Sequence, residues 1–431
     1  MPIHLASVRI PEQSDPVSVF GGMSMLVRRH FLQGLVVAAG ALGGCASASS
    51  SQSSAPSRLS SGRGLTAENL DDILIGSSYL GCGGGGSLAE ARELIRSDLA
   101  NGHVFALIGV DQLADDDRVA CPYALASLAP VSEDMQARLD RIENKIEAPT
   151  LDAFRLLERH VGTPFSGVIM GEIGPLSLAE GLSCAARLGI PSLDADTVGR
   201  ATPEINQHSV RVAGHPLTPA AGVTYFGDEV VLQGVQDPSR EEDIFRALSV
   251  VSQLVGVADA PITGAVAKSE SALVKGSVSL AMAIGAAVRE AKASGADPIE
   301  AARVAGDGYE LFTGDVAGFT WRDEDGFLVG DLTLSGTGRF EGQSMLLDYK
   351  NEHLVARRNG EVIATCPDLI TVIDRQTGEG VNNPDFIEGQ SVVVLGMKCD
   401  PLWRRDAGLE VFHPRYFGYD VDYMPIEQRL P

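Results

Sequence analysis

The sequence has no apolar run long enough to cross a membrane and no excess of basic residues. No stretch of 18 consecutive apolar residues occurs anywhere in the 431-residue chain, which argues against a membrane-spanning helix. Lys and Arg number 34 against 57 Asp and Glu, so the formal net charge is −23. Because phosphate backbones repel an acidic chain, nucleic acid is not expected as a partner.

Several short motifs of well-known catalytic and metal sites are also missing. The six cysteines include no CxxC pair, and the eight histidines form no HxH or HExxH pattern, so neither a zinc knuckle nor a histidine-rich zinc site is visible. The absence of GxSxG argues against an ordinary serine esterase. What is present is a globular composition, 44% hydrophobic and 21% charged, with length enough for two domains.

The N-terminal residues have the pattern of an export signal. Adjacent Arg28 and Arg29 precede a short apolar segment, Gly34–Leu42, which ends in Leu-Gly-Gly before Cys45. This order resembles a twin-arginine signal followed by a lipobox, in which the cysteine receives a lipid. We therefore predict an export signal over 1–45, lipidation of Cys45, and a flexible Ser- and Ala-rich tether over 46–64. The protein is expected to be exported and attached to a membrane only by this lipid.

The central part of the chain predicts an α/β domain. A buried strand at Gly167–Met170, an amphipathic helix at Ser177–Leu188 and a second strand at Ile190–Asp194 follow one another. Strands joined through a helix in this way pair in parallel. We predict an α/β domain over 65–315 with a mostly parallel sheet and flanking helices.

From about Phe319 the apolar residues follow a period of two, which indicates antiparallel strands. Asn359-Gly360 between two such strands is typical of a type I′ hairpin turn. We predict a smaller, antiparallel, barrel-like β domain over 316–412 and a C-terminal segment over 413–431 that returns to the α/β domain.

Carboxylates follow the two strands of the parallel unit. Ligands of open parallel sheets bind beyond the carboxyl ends of the strands, where Glu172, Asp194 and Asp196 lie. These three are the predicted catalytic residues, because clustered carboxylates can divide the roles of acid and base. A divalent metal such as zinc on Asp194, Asp196 and His208 is an alternative. In the plainer alternative, Asp194 or Asp196 caps the next turn and pairs with Arg200.

A glycine-rich loop and a helix start are candidates for substrate binding. The loop at 81–87 precedes a helix and could present backbone amides to an anion, although a tight turn between helices is an alternative. Lys275 and Ser277 open another helix, where Ser277 is a plausible N-cap; ordinary capping without a ligand is slightly preferred there. The predicted substrate-binding residues are Cys82, Gly83, Gly84, Gly85, Gly86, Arg200, Lys275 and Ser277.

Six short strings follow one another along the chain, at 80–86, 171–174, 194–204, 351–352, 367–370 and 414–419. As an ordered set they are similar to those of one known family, the S-methyl-thiohydantoin desulfurase domain family. The resemblance implies two domains, one α/β and one β, and hydrolysis of an S-methylated thiohydantoin with loss of methanethiol. Two positions depart from the family pattern: Cys82 stands where threonine is expected, and Pro175 where glycine is expected.

Three functions are therefore considered. The first is a hydrolase acting on a small thiohydantoin- or hydantoin-like ring. The second is a lipid-anchored protein that binds a small anionic metabolite, and the third is an amidohydrolase that opens lactam or hydantoin rings. The sequence leaves the oligomeric state open, and a homo-oligomer is compatible with it.

Overall fold

The computed structural model describes residues 62–126 and 133–430, which belong to one compact unit. The predicted export signal, the lipidated Cys45 and residues 46–61 of the tether lie outside the described residues. Among the residues that are described, no helix is both long and apolar enough to cross a membrane.

The described residues form twelve α-helices, which mostly cover the sheets. They are α1 Ala67–Leu80, α2 Leu88–Ala100, α3 Glu133–Asp140, α4 Pro149–Val161, α5 Pro175–Leu188, α6 Ser209–Val212, α7 Arg240–Ser252, α8 Gly264–Lys268, α9 Ser277–Ser294, α10 Pro298–Ala305, α11 Asp406–Val411 and α12 Ile426–Arg429. Short 3-10 turns lie at Val110–Gln112, Gly338–Phe340, Pro401–Arg404 and Pro414–Phe417.

Sixteen strands form two sheets in this part of the chain. The first sheet contains β1 Arg63–Gly64, β2 Ala106–Ile108, β3 Arg118–Ala126, β4 Gly167–Met170, β5 Ser192–Asp196, β6 Ala220–Thr224, β7 Glu229–Leu232, β8 Leu254–Thr263 and β9 Val274–Lys275. The second contains β10 Tyr309–Glu324, β11 Phe327–Gly336, β12 Ser344–Lys350, β13 Glu352–Arg358, β14 Glu361–Thr365, β15 Leu369–Asp374 and β16 Ser391–Met397.

The first sheet is mixed, with strand order β1-β2-β5-β4-β3-β8-β6-β7 and β9 beside β5. The parallel pairing of β4 with β5 through α5 is confirmed. The prediction of a mostly parallel sheet is wrong, because three pairings are parallel and five are antiparallel. The apolar runs of β3, β6 and β8 are interrupted by Pro122, Gly222 and Pro261. Because proline and glycine are uncommon inside strands, the sequence pattern does not predict these three strands.

The second sheet is antiparallel throughout and curls into a half-barrel, in the order β14-β13-β12-β11-β10-β16-β15. The predicted antiparallel, barrel-like sheet is thus confirmed. Asn359 and Gly360 both have positive φ, 53° and 83°, and connect β13 to β14 as the type I′ turn requires. The first strand of this sheet begins at Tyr309, ahead of the period-two pattern that starts near Phe319.

Local capping signals mark some helix starts but not others. Asp297 accepts hydrogen bonds from the amides of Ile299 and Glu300 at 2.9 and 3.2 Å, so it caps α10. The prediction that Ser277 caps α9 is wrong. Gly276, with φ 77°, is the cap, and Ser277 is the first helical residue, because its hydroxyl donates back to a strand carbonyl instead.

Two helices that position the glycine-rich loop pack backbone against backbone. A Cβ on Gly76 of α1 would lie 1.7 Å from the carbonyl oxygen of Ala281, and one on Gly285 of α9 would lie 1.8 Å from that of Asp72. Arg289 of α9 also binds the buried Asp72 carboxylate through two nitrogens, at 2.8 and 2.9 Å. This close packing fixes the C-terminal end of α1, from which the loop emerges.

Candidate functional site at the glycine loop

The glycine-rich loop follows α1 in a conformation that few residue types adopt. Cys82, Gly83, Gly85 and Gly86 all have positive φ, between 52° and 84°. Glycine adopts this region without cost, whereas a cysteine there is uncommon. The loop is buried at Cys82 and Gly83 and exposed at Gly86, so it runs from the interior to the surface.

The carbonyl groups of the loop are held by both halves of the molecule. The amides of His353 and Asn383, from the half-barrel side, donate to the carbonyls of Cys82 and Gly83, each at 2.8 Å. Gly85 accepts hydrogen bonds from the first amides of α5 at 2.8 and 3.1 Å. The Gly84 amide donates to the Gly81 carbonyl at 2.8 Å. Because the carbonyls face protein partners, the other amides of the loop are the groups that could bind a ligand.

At three positions of the loop, neighbouring atoms lie too close for any side chain, so glycine is required there. A Cβ on Gly84 would lie 1.9 Å from Oε1 of Glu352, and one on Gly83 would lie 2.6 Å from Cε1 of His353. A Cβ on Gly85 would lie 2.3 Å from Cα of Gly174. The loop backbone therefore lies directly against side chains that the half-barrel supplies.

Glu172 lies just after β4, as predicted, and is firmly held. Its Oε1 accepts from the Ser177 hydroxyl at 2.7 Å and its Oε2 from the Thr202 amide at 2.8 Å. Burial raises the pKa of Glu172 above its ordinary value, and the two hydrogen bonds and the charge of Arg200 oppose that rise. Hydrogen bonds to the ionised form favour a carboxylate here.

Glu352 is the second acid of the site and comes from the first residue of β13. It is 3% exposed, and its Oε2 has no hydrogen-bond partner. Burial raises the pKa of Glu352 well above its ordinary value, the nearby Glu172 raises it further, and Arg200 opposes both. Two acids that interact in this way do not readily ionise together, and the stronger rise at Glu352 favours the proton there and the charge on Glu172.

His353 and Asn383 add two hydrogen-bond acceptors beside the loop. The Nδ1 of His353 donates to the Ile370 carbonyl at 3.1 Å, so the lone pair is on Nε2. Burial lowers the pKa of His353 to about 4, which keeps the ring neutral at ordinary pH. Both Nε2 of His353 and Oδ1 of Asn383 are buried without a hydrogen-bond partner. Buried polar atoms are ordinarily paired, so these atoms mark a place that binds water or a ligand.

Arg200, a predicted substrate-binding residue, has its donors engaged by the protein. It is 1% exposed and donates to the carbonyls of Ala201, Asp368 and His353 at 2.9, 2.8 and 3.0 Å. Its guanidinium also lies over the ring of Phe412, 5.3 Å from the centroid. The residue thus joins the two sheets and supplies the positive charge that favours ionised carboxylates at the site.

Cys82 lies in the loop but is a poor candidate for a nucleophile. The side chain is fully buried, and its thiol donates to the Leu80 carbonyl at 3.4 Å. Burial raises the pKa of Cys82, a rise that the charge of Arg200 only partly opposes. Since the thiolate is the reactive form, this cysteine serves to fill space and to fix the loop.

Asp194 and Asp196 share a face of β5 as expected, but both are bound to neighbouring backbone. Asp194 accepts from the amide and hydroxyl of Ser279 at 2.9 and 2.6 Å, at the start of α9. Asp196 accepts from the amides of Val198 and Gly199 at 2.8 and 2.6 Å, which is the capping role named as an alternative, without the pairing to arginine. Burial raises the pKa of Asp196 to about 7.

Two other predicted residues lie apart from the loop. The ammonium group of Lys275 is exposed and donates to the Lys268 carbonyl at 2.7 Å. His208 is buried beside Asp259 and Cys121, on the opposite face of the first sheet from Asp194 and Asp196. The structure therefore does not bring the three predicted metal ligands together.

Sequence reasoning missed Glu352, His353 and Asn383. Their one signal was the string Asn351-Glu352, which contributed to the family resemblance but was not interpreted as a site. No local pattern links that string to the loop, because only the packing of the half-barrel on the α/β part brings them together.

Comparison with known proteins agrees with this architecture. The S-Me-THD-like N-terminal domain matches residues 68–234, and the S-Me-THD-like C-terminal domain matches residues 236–426. A crystal structure of a protein from Chromobacterium violaceum, structural genomics target CvR68, has a TM-score of 0.66 and 23% sequence identity, and the match covers 84% of this chain and all of that one. That likeness shows the fold alone, and no curated protein matches the sequence. Since the two domain matches span most of the sequence, the chain belongs to the S-Me-THD-like family.

Proposed function

We propose that the protein hydrolyses a small thiohydantoin- or hydantoin-like ring and releases a thiol from it. The observation that carries this proposal is the pair Glu172 and Glu352 beside the glycine loop, where burial and mutual repulsion favour one ionised and one protonated carboxyl. A base and an acid at one place are what the addition of water to a C=N bond requires. Family membership supports the same class of reaction.

The polar groups around the pair suit a planar heterocycle. The unpartnered Nε2 of His353 and Oδ1 of Asn383 can accept hydrogen bonds from ring N–H groups. Amides of the loop other than that of Gly84 can donate to a ring carbonyl or to an attached carboxylate. A ring that carries both N–H and C=O groups would satisfy donors and acceptors together.

In the proposed reaction Glu172 takes a proton from water as the hydroxyl adds to the ring carbon that bears sulfur. Glu352 gives its proton to the adjacent ring nitrogen, so the C=N bond becomes C–NH. The adduct then breaks its C–S bond, and its hydroxyl becomes a carbonyl and returns a proton to Glu352. The departing thiolate takes the proton from Glu172, which restores both carboxyls to their starting forms.

Release of a free thiol tests this proposal directly. The purified protein should liberate methanethiol from an S-methyl-thiohydantoin, measured with a thiol-reactive chromophore, and form the corresponding hydantoin by mass spectrometry. A ring-opened acid without thiol would instead support the amidohydrolase alternative. Tight calorimetric binding without turnover of any ring would support the binding-protein alternative and overturn the proposal.

The acid–base pair also predicts a bell-shaped pH dependence. Glu172 must be ionised, so kcat/KM should rise about tenfold per pH unit as pH increases through its raised pKa. Glu352 must be protonated, so the rate should fall again as pH rises through its higher pKa. The two limits belong to the coupled pair rather than to single residues. Circular dichroism over the same pH range controls for unfolding, and a profile with a single limb would contradict the assignment.

A further inference from the structure

A second cluster of reactive side chains lies on the other face of the first sheet. Cys121 projects from β3, Asp259 from β8, and His208 precedes α6. All three are buried, with exposed fractions of 0%, 0% and 4%. One potential ligand atom from each lies within 4.8 Å of the other two. This cluster lies outside the glycine loop, although Cys121 is within electrostatic range of Glu172, and none of its three residues takes or gives a proton in the reaction proposed above.

Two atoms of this cluster are buried without hydrogen-bond partners. They are Nε2 of His208 and Oδ1 of Asp259, which lie 3.6 Å apart. Asp259 is oriented by the hydroxyl of Tyr123, which donates to its other oxygen at 2.7 Å and leaves Oδ1 facing the histidine. A buried carboxylate oxygen that lacks a partner is costly unless a cation or a donor satisfies it.

The arrangement does not match a nucleophile–base–acid triad. In a triad the imidazole uses one ring nitrogen for the nucleophile and the other for the carboxylate. Here Nδ1 of His208 accepts a hydrogen bond from the amide of Val210 at 3.3 Å, so Nε2 faces the cluster. For Nε2 to bind a metal, the ring proton must move to Nδ1, and the metal–ligand bond must then replace this capping hydrogen bond.

We propose that Cys121, His208 and Asp259 bind one zinc ion. A thiolate, an imidazole and a carboxylate are the ligand types that zinc takes in proteins. Ligands around a tetrahedral zinc ion at about 2.0–2.3 Å lie roughly 3.3–3.8 Å from one another, and this cluster reaches that spacing by small side-chain shifts. Three protein ligands leave one position, and the buried Glu241, whose Oε1 has no partner, lies within electrostatic range of Asp259.

Metal content of the full-length protein tests the proposal without any measure of turnover. Because the cluster is buried, the protein should be produced in zinc-supplemented medium, desalted, and analysed by mass spectrometry for metal. We expect one zinc per chain in the wild type and in Cys184→Ser, a control that changes another buried cysteine. Cys121→Ser should retain less than about a tenth of that zinc, since it loses the thiolate.

Cobalt supplies a second readout that identifies the ligand. Cobalt-loaded wild type should show the near-ultraviolet sulfur-to-cobalt absorption of a thiolate ligand, and Cys184→Ser should keep it. If Cys121→Ser does not fold, Tyr123→Phe still tests the site. This variant lacks the hydroxyl that orients Asp259, so its zinc affinity, measured in competition with a chromophoric chelator, should fall about 10–100-fold.

Zinc far below one equivalent in the wild type, or cobalt without thiolate absorption, would overturn the proposal.

Discussion

Glu352→Gln is expected to lower kcat for thiol release about 10²–10⁴-fold, the range that removal of a positioned general acid or base produces. Glutamine has nearly the same shape as the protonated carboxyl, which burial and Glu172 favour because they raise the pKa of Glu352. The amide can still donate a hydrogen bond but cannot deliver a proton to the ring nitrogen. Thiol release under substrate saturation, with KM measured separately, tests this expectation.

Glu180→Gln is the matched control for this variant. Glu180 lies on α5, where burial raises its pKa to about 7, and it accepts from the Thr150 hydroxyl at 3.3 Å rather than facing the glycine loop. It should keep activity within about twofold, because it gives no proton to the substrate. Urea denaturation should give similar unfolding free energies for both variants. Wild-type turnover in a folded Glu352→Gln protein would remove Glu352 from the mechanism.

Gly84→Ala is expected to lower activity about 10²-fold or more, although the change adds only one methyl group. The φ of Gly84 lies outside the left-handed region, so alanine is compatible with the backbone itself. The new Cβ would lie 1.9 Å from Oε1 of Glu352 and 2.6 Å from its Cδ, so the carboxyl must move. Displacement of a catalytic group by about 1 Å can cost 10²-fold in rate.

Gly109→Ala is the control for the steric argument. Gly109 has φ −70°, and the nearest atom to an added Cβ is 3.9 Å away, so this variant should retain wild-type turnover. Because Gly84→Ala moves the acid rather than removing it, the double variant with Glu352→Gln should be little slower than Glu352→Gln alone. Additive losses in the double variant would show that Gly84 acts through something other than Glu352.

Much of the fold could be predicted because its signals are local. The caps of α10, the positive φ after α5 and α9, and the Asn-Gly turn before β14 each depend on a few adjacent residues. Strand β8 could not be predicted in the same way. It is antiparallel, contains Pro261, and begins at Leu254, two residues after α7 ends at Ser252, so the apolar residues of helix and strand run together in the sequence.

Only the part of the candidate site that lies in the α/β half could be predicted from the sequence, for a related reason. Glu172 and the glycine loop lie in the α/β part, where the end of a strand and a glycine run are visible in sequence. Glu352, His353 and Asn383 come from the half-barrel, and nothing local indicates that it packs over the loop. Asp194 and Asp196 also lie at the carboxyl end of a strand, where the sequence predicts site residues. Their carboxylates are nevertheless bound by protein groups: Asp196 by backbone amides just after the strand, and Asp194 by a serine at the start of α9.

The position of β8 bears on how the chain assembles during synthesis. The N-terminal domain match ends at residue 234, but β8, from the C-terminal match, lies between β3 and β6. Until residue 263 has left the ribosome, the β6–β7 hairpin has no link to the rest of its sheet, and β3 presents an open edge. Open edges invite pairing with other chains. The boundary near residue 235 therefore separates β6 and β7 from the strand that joins them to the rest of their sheet.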